Sequence, residues 1–225
     1  KKSNTLRLQF SKEIFRLFGR ITVNGFSSFI IDVAMGVLTM LFNRQIMKYL
    51  GTDALAVYGV IVSVSTLVQC CSYGIGQASQ PIISQNYGAG NVDRIKKMLR
   101  YNIITAAIFG AVWAAITFAV PNGLIRLFMT PTASVLAIAP AIIRIYGSSF
   151  LLLPFNVYST YYFQATMRAK TSMFVSVARG ILISGALILI IPVTLGADMI
   201  WWAMPVTELV VAVFAGAMMA KKIQL

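Results

Sequence analysis

Apolar residues run along this chain in long blocks separated by short stretches in which charge is concentrated. Six such blocks, at 22–42, 57–84, 102–121, 145–164, 176–195 and 199–219, are each long enough for a helical membrane crossing, which takes about 20 residues for a hydrocarbon layer of roughly 30 Å. Ahead of them, Phe10, Ile14, Leu17, Phe18 and Ile21 recur at helical spacing with Arg7, Lys12, Arg16 and Arg20 mostly opposite. That pattern predicts an amphipathic helix over residues 1–21 lying in the membrane interface. The predicted fold class is therefore an all-α membrane protein: an interfacial helix followed by six transmembrane helices over 22–225. The block at 57–84 exceeds one crossing, which predicts tilt or a kink near Gly74, Gly76 and Pro81.

Composition narrows the chemistry. Of 225 residues, 58% are hydrophobic and 11% charged, with a mean hydropathy of +0.80; this excludes a disordered chain and a soluble α/β enzyme. There is no histidine, and the only cysteines are the neighbours Cys70 and Cys71. No zinc site, His-based triad or structural disulfide can be assembled from that inventory, and no metal or cofactor is predicted. No glycine-rich phosphate loop follows a strand, so ATP drive is not expected of this chain. The net charge of +13 would suggest nucleic acid in a soluble protein. Here the cations sit between apolar blocks, with Lys1 to Arg20, Arg94 to Arg100, Arg168, Lys170, Lys221 and Lys222 on one side and only Arg44, Lys48, Arg126 and Arg144 on the other. The positive-inside rule then places both termini in the cytoplasm of a multi-pass protein of the cell inner (plasma) membrane. Asp53, Asp93 and Asp198 fall in predicted loops as solvated or capping groups. The chain begins at Lys1 rather than Met, as a piece of a longer protein does.

Several predicted helices carry a polar stripe. On the first, Gly25, Ser28, Asp32, Gly36, Thr39 and Asn43 lie within about 40° of one direction at roughly 100° per residue. Asp32 falls near the membrane midplane, where an ionised carboxylate costs about 2.5–3.5 kcal/mol. It either faces a hydrated cavity and binds a coupling ion, or is a hydrogen-bonded packing group. The second helix repeats the pattern with Thr66, Gln69, Tyr73, Gly76, Gln77, Gln80 and Ser84; Gln69 and Tyr73 suit a polar pathway and helix packing equally, and Gly76 suits packing. On the fourth, Ser149, Asn156 and Thr160 share one sector, and Tyr146, Phe150, Tyr158 and Tyr161 the next. An aromatic wall beside polar groups fits a lipophilic cation, or an ordinary core. Pro154 marks a hinge candidate. Glu208 is the other intramembrane acid, and Arg179 is placed either to snorkel or to form a structural ion pair with it. Cys70 and Cys71 read as packing residues.

The stretch GIGQASQPIISQNYGAGNVDRIKK, from Gly74 to Lys97, resembles the signature of the multidrug and toxic compound extrusion (MATE) transporters. SSFIIDVAMGVLTMLFN at 27–43, YYFQATMRAKTSMFVSVARG at 161–180 and GADMIWWAMPVTELV at 196–210 fit the same family, in the bacterial branch of DinF-like and MepA-like exporters. The family has twelve helices in two lobes, so the resemblance implies that this chain is one six-helix lobe, the C-terminal one, and that residues 1–21 end an inter-lobe linker. It also implies a cation-coupling role for Asp32. The second acid that some members carry on the fourth helix of the lobe is missing here.

The expectation is a secondary active multidrug exporter, not an enzyme, that exchanges organic cations or amphiphiles for H+ or Na+ and works with a second lobe or half-transporter. Cavity residues are expected among Ser28, Thr39, Asn43, Gln69, Tyr73, Tyr146, Phe150, Asn156 and Tyr158. A lipid-linked saccharide flippase of a related branch and a non-transporting assembly subunit are the rivals.

Overall fold

The computed structural model describes residue 33 and residues 36–220. The predicted interfacial helix, the boundary at residue 21, Ser28, Asp32, Lys221 and Lys222 lie outside the described residues. Helix α1 is helical over 36–49. It is followed by α2 (Gly51–Gly88), α3 (Val92–Ala119), a short α4 (Pro121–Phe128), α5 (Ala133–Gly147), α6 (Leu153–Ala165), α7 (Ala169–Val177), α8 (Ile183–Thr194) and α9 (Ala203–Ala220). A 3-10 turn at Ser148–Leu151 and a π turn at Ala178–Leu182 each join two helical pieces of one span, and a 3-10 turn at Ala197–Trp202 opens the last span. Five stretches, Gly51–Gly88, Val92–Ala119, Ala133–Ala165, Ala169–Thr194 and Ala197–Ala220, are long and apolar enough to cross a membrane.

On α2 the buried positions Ala54, Tyr58, Ile61, Ser65, Val68, Ser72, Gly76, Ser79 and Ile83 follow one helical stripe. This stripe, not the polar one, packs on the lobe. It lies one residue step, about 100°, round from Gln69, Tyr73 and Gln77. The inner half of the stripe is small because α6 comes close: a Cβ at Gly76 would fall on the Tyr161 ring. With 38 residues α2 is about 57 Å long at 1.5 Å per residue, so it projects beyond the apolar layer. Helix α3 is peripheral, with only Ile95, Ala106, Gly110 and Thr117 buried. Gly110 lets it rest on the carbonyls of Phe150 and Leu151, where a Cβ would stand 2.6 Å from the Leu151 oxygen.

The fourth crossing starts at Ala133, earlier than the expected 145, and is broken in its middle. Pro154 has no N–H to continue the ladder, and the chain tightens into the 3-10 turn just before it, with Leu152 N bonded to Ser149 O at 3.1 Å. Arg144 thus lies within a helix, level with the end of α3, where its Nε donates to the Phe118 carbonyl at 3.1 Å. Helix α4, hidden in a predicted loop, buries Pro121 and Ile125 and exposes Leu127 and Phe128. Asp53, Asp93 and Asp198 lie in the first turns of α2, α3 and the Ala197–Trp202 turn rather than in loops. Gly51, Gly90 and Gly196, at φ 83°, 71° and 102°, end the preceding segments so closely that each helix starts before its acid, which then meets the positive helix terminus. Cys70 and Cys71 are exposed free thiols and not packing residues, because they lie off the buried stripe.

The core has two apolar clusters. One surrounds Phe42, Tyr58, Tyr146, Phe150 and Trp201; the other surrounds Ile83, Ile95, Tyr158, Tyr162, Phe163 and Val211. The changeover falls just after Asn156 on α6, between Val157 and Tyr158, and around Glu208 on α9.

Candidate functional site: a cavity with an aromatic wall

Helices α1, α2 and α5 meet the start of α9 around a cavity of about 300 Å³. Its lining includes Gly36, Thr39 and Phe42 from α1, Tyr58, Val62, Ser65, Thr66, Gln69 and Tyr73 from α2, Tyr146 from α5 and Met204 from α9. The aromatic wall comes from several helices. Phe42 stacks on Tyr58 with ring centres 4.9 Å apart and planes at 22°, and Tyr146 meets both rings at an angle, 6.3 and 6.4 Å away. Trp201 backs Tyr58 at 6.4 Å. Such faces attract a cation or a planar aromatic group, and the hydroxyls and amide of Ser65, Thr66 and Gln69 add directional contacts. Among the described lining residues there is no charged side chain.

From the cavity a ladder of polar contacts runs along α2 toward its C-terminal end. Tyr73 donates its hydroxyl proton to Gln69 Oε1 at 3.3 Å, Gln77 Nε2 donates to the Tyr161 hydroxyl at 3.4 Å, and Gln80 Nε2 donates to Gln164 Oε1 at 3.3 Å. These side chains are largely exposed, so the polar face of α2 looks outward from the lobe.

Beneath the cavity lies a charged network. Arg179 Nε donates to Glu208 Oε1 at 2.7 Å, while Asn156 Nδ2 donates both to Glu208 Oε2 at 2.6 Å and to the Glu208 carbonyl at 2.8 Å. The Glu208 side chain is fully buried. Three spans are joined here, through α6, the π turn and α9. A guanidinium and an amide around one carboxylate offset its removal from water and hold it in place. Arg179 Nη2, Asn156 Oδ1 and Ser149 Oγ are buried without a hydrogen-bond partner, so the network is only partly satisfied.

Of the residues expected in the cavity, the structure brings Thr39, Gln69, Tyr73 and Tyr146 together. Asn43 is exposed beyond it. Phe150, Asn156 and Tyr158 do not line it: Phe150 is core beside Tyr146, Asn156 holds Glu208, and Tyr158 packs against Tyr162 at 6.4 Å in the other cluster. Asn156 and Tyr158 lie about 15–18 Å further along the span than Tyr146 at 1.5 Å per residue, which takes them past the cavity. Phe42, Tyr58, Ser65 and Met204 went unrecognised because they sit on apolar or weakly polar positions. The only sequence signal for Tyr58 was an aromatic two turns before the polar stripe. Among the described residues no three His, Cys, Asp or Glu side chains converge as metal ligands would.

Long, interrupted helices of membrane-spanning length, with a polar and aromatic cavity beside an outward polar face, make the described residues a multi-pass membrane lobe. The family model MatE matches residues 26–191, and the chain belongs to that family, whose members are transporters and not enzymes. It is 24% identical over 204 residues to the multidrug export protein MepA of Staphylococcus haemolyticus, covering 91% of this chain and 43% of that one. Over 163 residues it is 28% identical to the probable multidrug resistance protein YoeA of Bacillus subtilis, covering 72% of this chain and 33% of that protein. A solved outward-facing multidrug resistance MATE transporter superposes with a TM-score of 0.82 at 18% identity, covering 96% of this chain and 48% of its own. The chain thus spans less than half the length of these relatives and aligns with one lobe.

Proposed function

We propose that the chain is the C-terminal lobe of a secondary active exporter of organic cations or other amphiphiles, in which the cavity between α1, α2 and α5 takes the apolar part of the substrate. The observation that carries this is the wall of Phe42, Tyr58 and Tyr146 opening beside the polar face of α2. Left against lipid, that face is costly; a second lobe covers it, and substrate access alternates as the lobes rock. Coupling to H+ or Na+ is assigned to Asp32, one turn before the cavity-lining Gly36 on the same sequence stripe. Both termini are assigned to the cytoplasm on the placement of the basic residues.

The test uses the protein as it occurs, produced in a host lacking its own drug exporters, with ethidium as the probe. Dye extrusion that stops when the ion gradient is collapsed, and that is lost on filling the cavity with Ser65→Trp, is expected. Extrusion by the Ser65→Trp protein equal to that of the parent would overturn the cavity assignment.

A further inference from the structure

The exposed face of α3 is unlike that of α2. Tyr101, Ile104, Ile108 and Val112 form a continuous exposed stripe, all within about 60° of Lys97 at roughly 100° per residue. The polar side chains of this stretch do not break it. Thr105 Oγ1 donates to the Tyr101 carbonyl at 2.9 Å and Asn102 Nδ2 to the Met98 carbonyl at 2.8 Å, so the hydroxyl and one amide N–H are bonded within the helix. A face of this kind suits acyl chains, which offer no hydrogen-bond partners.

At the N-terminal end of the stripe the chemistry changes within one turn. Arg94, Lys97 and Arg100 fan out on the same side, all exposed, with Lys96 beside them and Asp93 as the one carboxylate among them. Lys97 Nζ stands 6.0 Å from the centre of the Tyr101 ring. That contact sets the ammonium directly above the apolar stripe, at the level where an aromatic marks the membrane surface. A phospholipid has this same sequence of chemistries, an anion above two hydrocarbon chains.

We propose that this face of α3 is a binding site for an anionic phospholipid, with Arg94, Lys97 and Arg100 on the headgroup phosphate and the stripe from Tyr101 to Val112 along an acyl chain. Charge complementarity selects the lipid: three exposed cations lie within two turns on one side of α3, and juxtamembrane cations of this kind favour anionic over zwitterionic lipids. The site is separate from the cavity and stands whether or not the chain exports drugs.

Native mass spectrometry of the protein as it occurs, purified in mild detergent and titrated with phosphatidylglycerol or phosphatidylcholine of identical acyl chains, tests it. Phosphatidylglycerol is expected to be retained preferentially, and the triple variant Arg94→Gln/Lys97→Gln/Arg100→Gln to lower its retention by about tenfold while leaving phosphatidylcholine unchanged. Because all three side chains are exposed, folding is not at stake. The double variant Lys48→Gln/Arg126→Gln, elsewhere on the surface, serves as the charge control. Equal retention of the two lipids, an unchanged triple variant, or a control that falls as far as the triple variant would overturn the site. Full competition by water-soluble glycerophosphoglycerol would also overturn it, since the acyl stripe would then contribute nothing.

Discussion

Arg179 and Glu208 meet at 2.7 Å between the two apolar clusters of the lobe, and Asn156 fixes the same carboxylate from the opposite side. The π turn that carries Arg179 and the 3-10 turn that precedes Asn156 are the irregular points of their spans, so the charged contact lies where the helices depart from regular geometry. Such irregular turns persist where side-chain contacts hold them.

Breaking this pair from one side leaves a buried charge alone. Arg179→Met is expected to destabilise the lobe by about 3–5 kcal/mol, whereas the double variant Arg179→Met/Glu208→Leu recovers most of that loss because neither charge remains. Thermal unfolding in detergent of the parent, single and double variants measures the difference. A double variant no more stable than Arg179→Met would show that the pair does more than neutralise charge.

Gly76 and Gly74 make a controlled comparison two residues apart on α2. A Cβ at Gly76 lands on the Tyr161 ring, while one at Gly74 meets nothing within 4 Å. Gly76→Ala is expected to lose about 1–3 kcal/mol through overpacking, and Gly74→Ala to be neutral or slightly stabilising through helix propensity. The same unfolding assay separates them.

Tyr58 tests the aromatic wall. Tyr58→Phe keeps the ring stacked on Phe42, and Tyr58→Ala removes it. Binding of a quaternary ammonium dye, followed by fluorescence polarisation, is expected to weaken about fivefold to thirtyfold in Tyr58→Ala, as for the loss of about 1–2 kcal/mol of cation–π contact, and to change little in Tyr58→Phe.

Asp32→Asn keeps shape and hydrogen bonding while removing the ionisable group. The expected result in the transporter as it occurs is a folded protein with uncoupled or weakened export. Because linkage is reciprocal, the dependence of drug affinity on the coupling ion, read by titrating pH and then sodium, disappears together with coupling. Unchanged gradient-driven efflux with unchanged ion dependence would leave Asp32 as a packing residue.

Orientation is open to direct labelling. In a Cys70→Ser/Cys71→Ser background, a cysteine at Asn91, in the turn between α2 and α3, is expected to react with an impermeant maleimide only after the membrane is opened. Reaction from outside intact cells would invert the topology.

The sequence by itself determined the all-α membrane class. A lipid-spanning helix must satisfy its backbone internally and present apolar side chains, and both demands are written in composition and block length. It also located the polar stripe of α2 and the pairing candidates Arg179 and Glu208, because a charge inside an apolar block stands out against its neighbours. Tertiary structure alone decided which faces meet. Helical periodicity fixes angles within one helix, but which neighbour a face meets depends on depth along the span: Tyr146 reaches the cavity, while Asn156, about 15 Å further on, meets Glu208 and Tyr158 packs against Tyr162. The Phe42–Tyr58–Tyr146 wall needed three helices to converge; Tyr146 stood out in the sequence beside polar positions, whereas Phe42 and Tyr58 were each one more apolar residue among many. What makes it a wall is the 4.9 Å stacking of Phe42 on Tyr58 and the edge that Tyr146 turns toward them, a relation between helices that no single helix encodes.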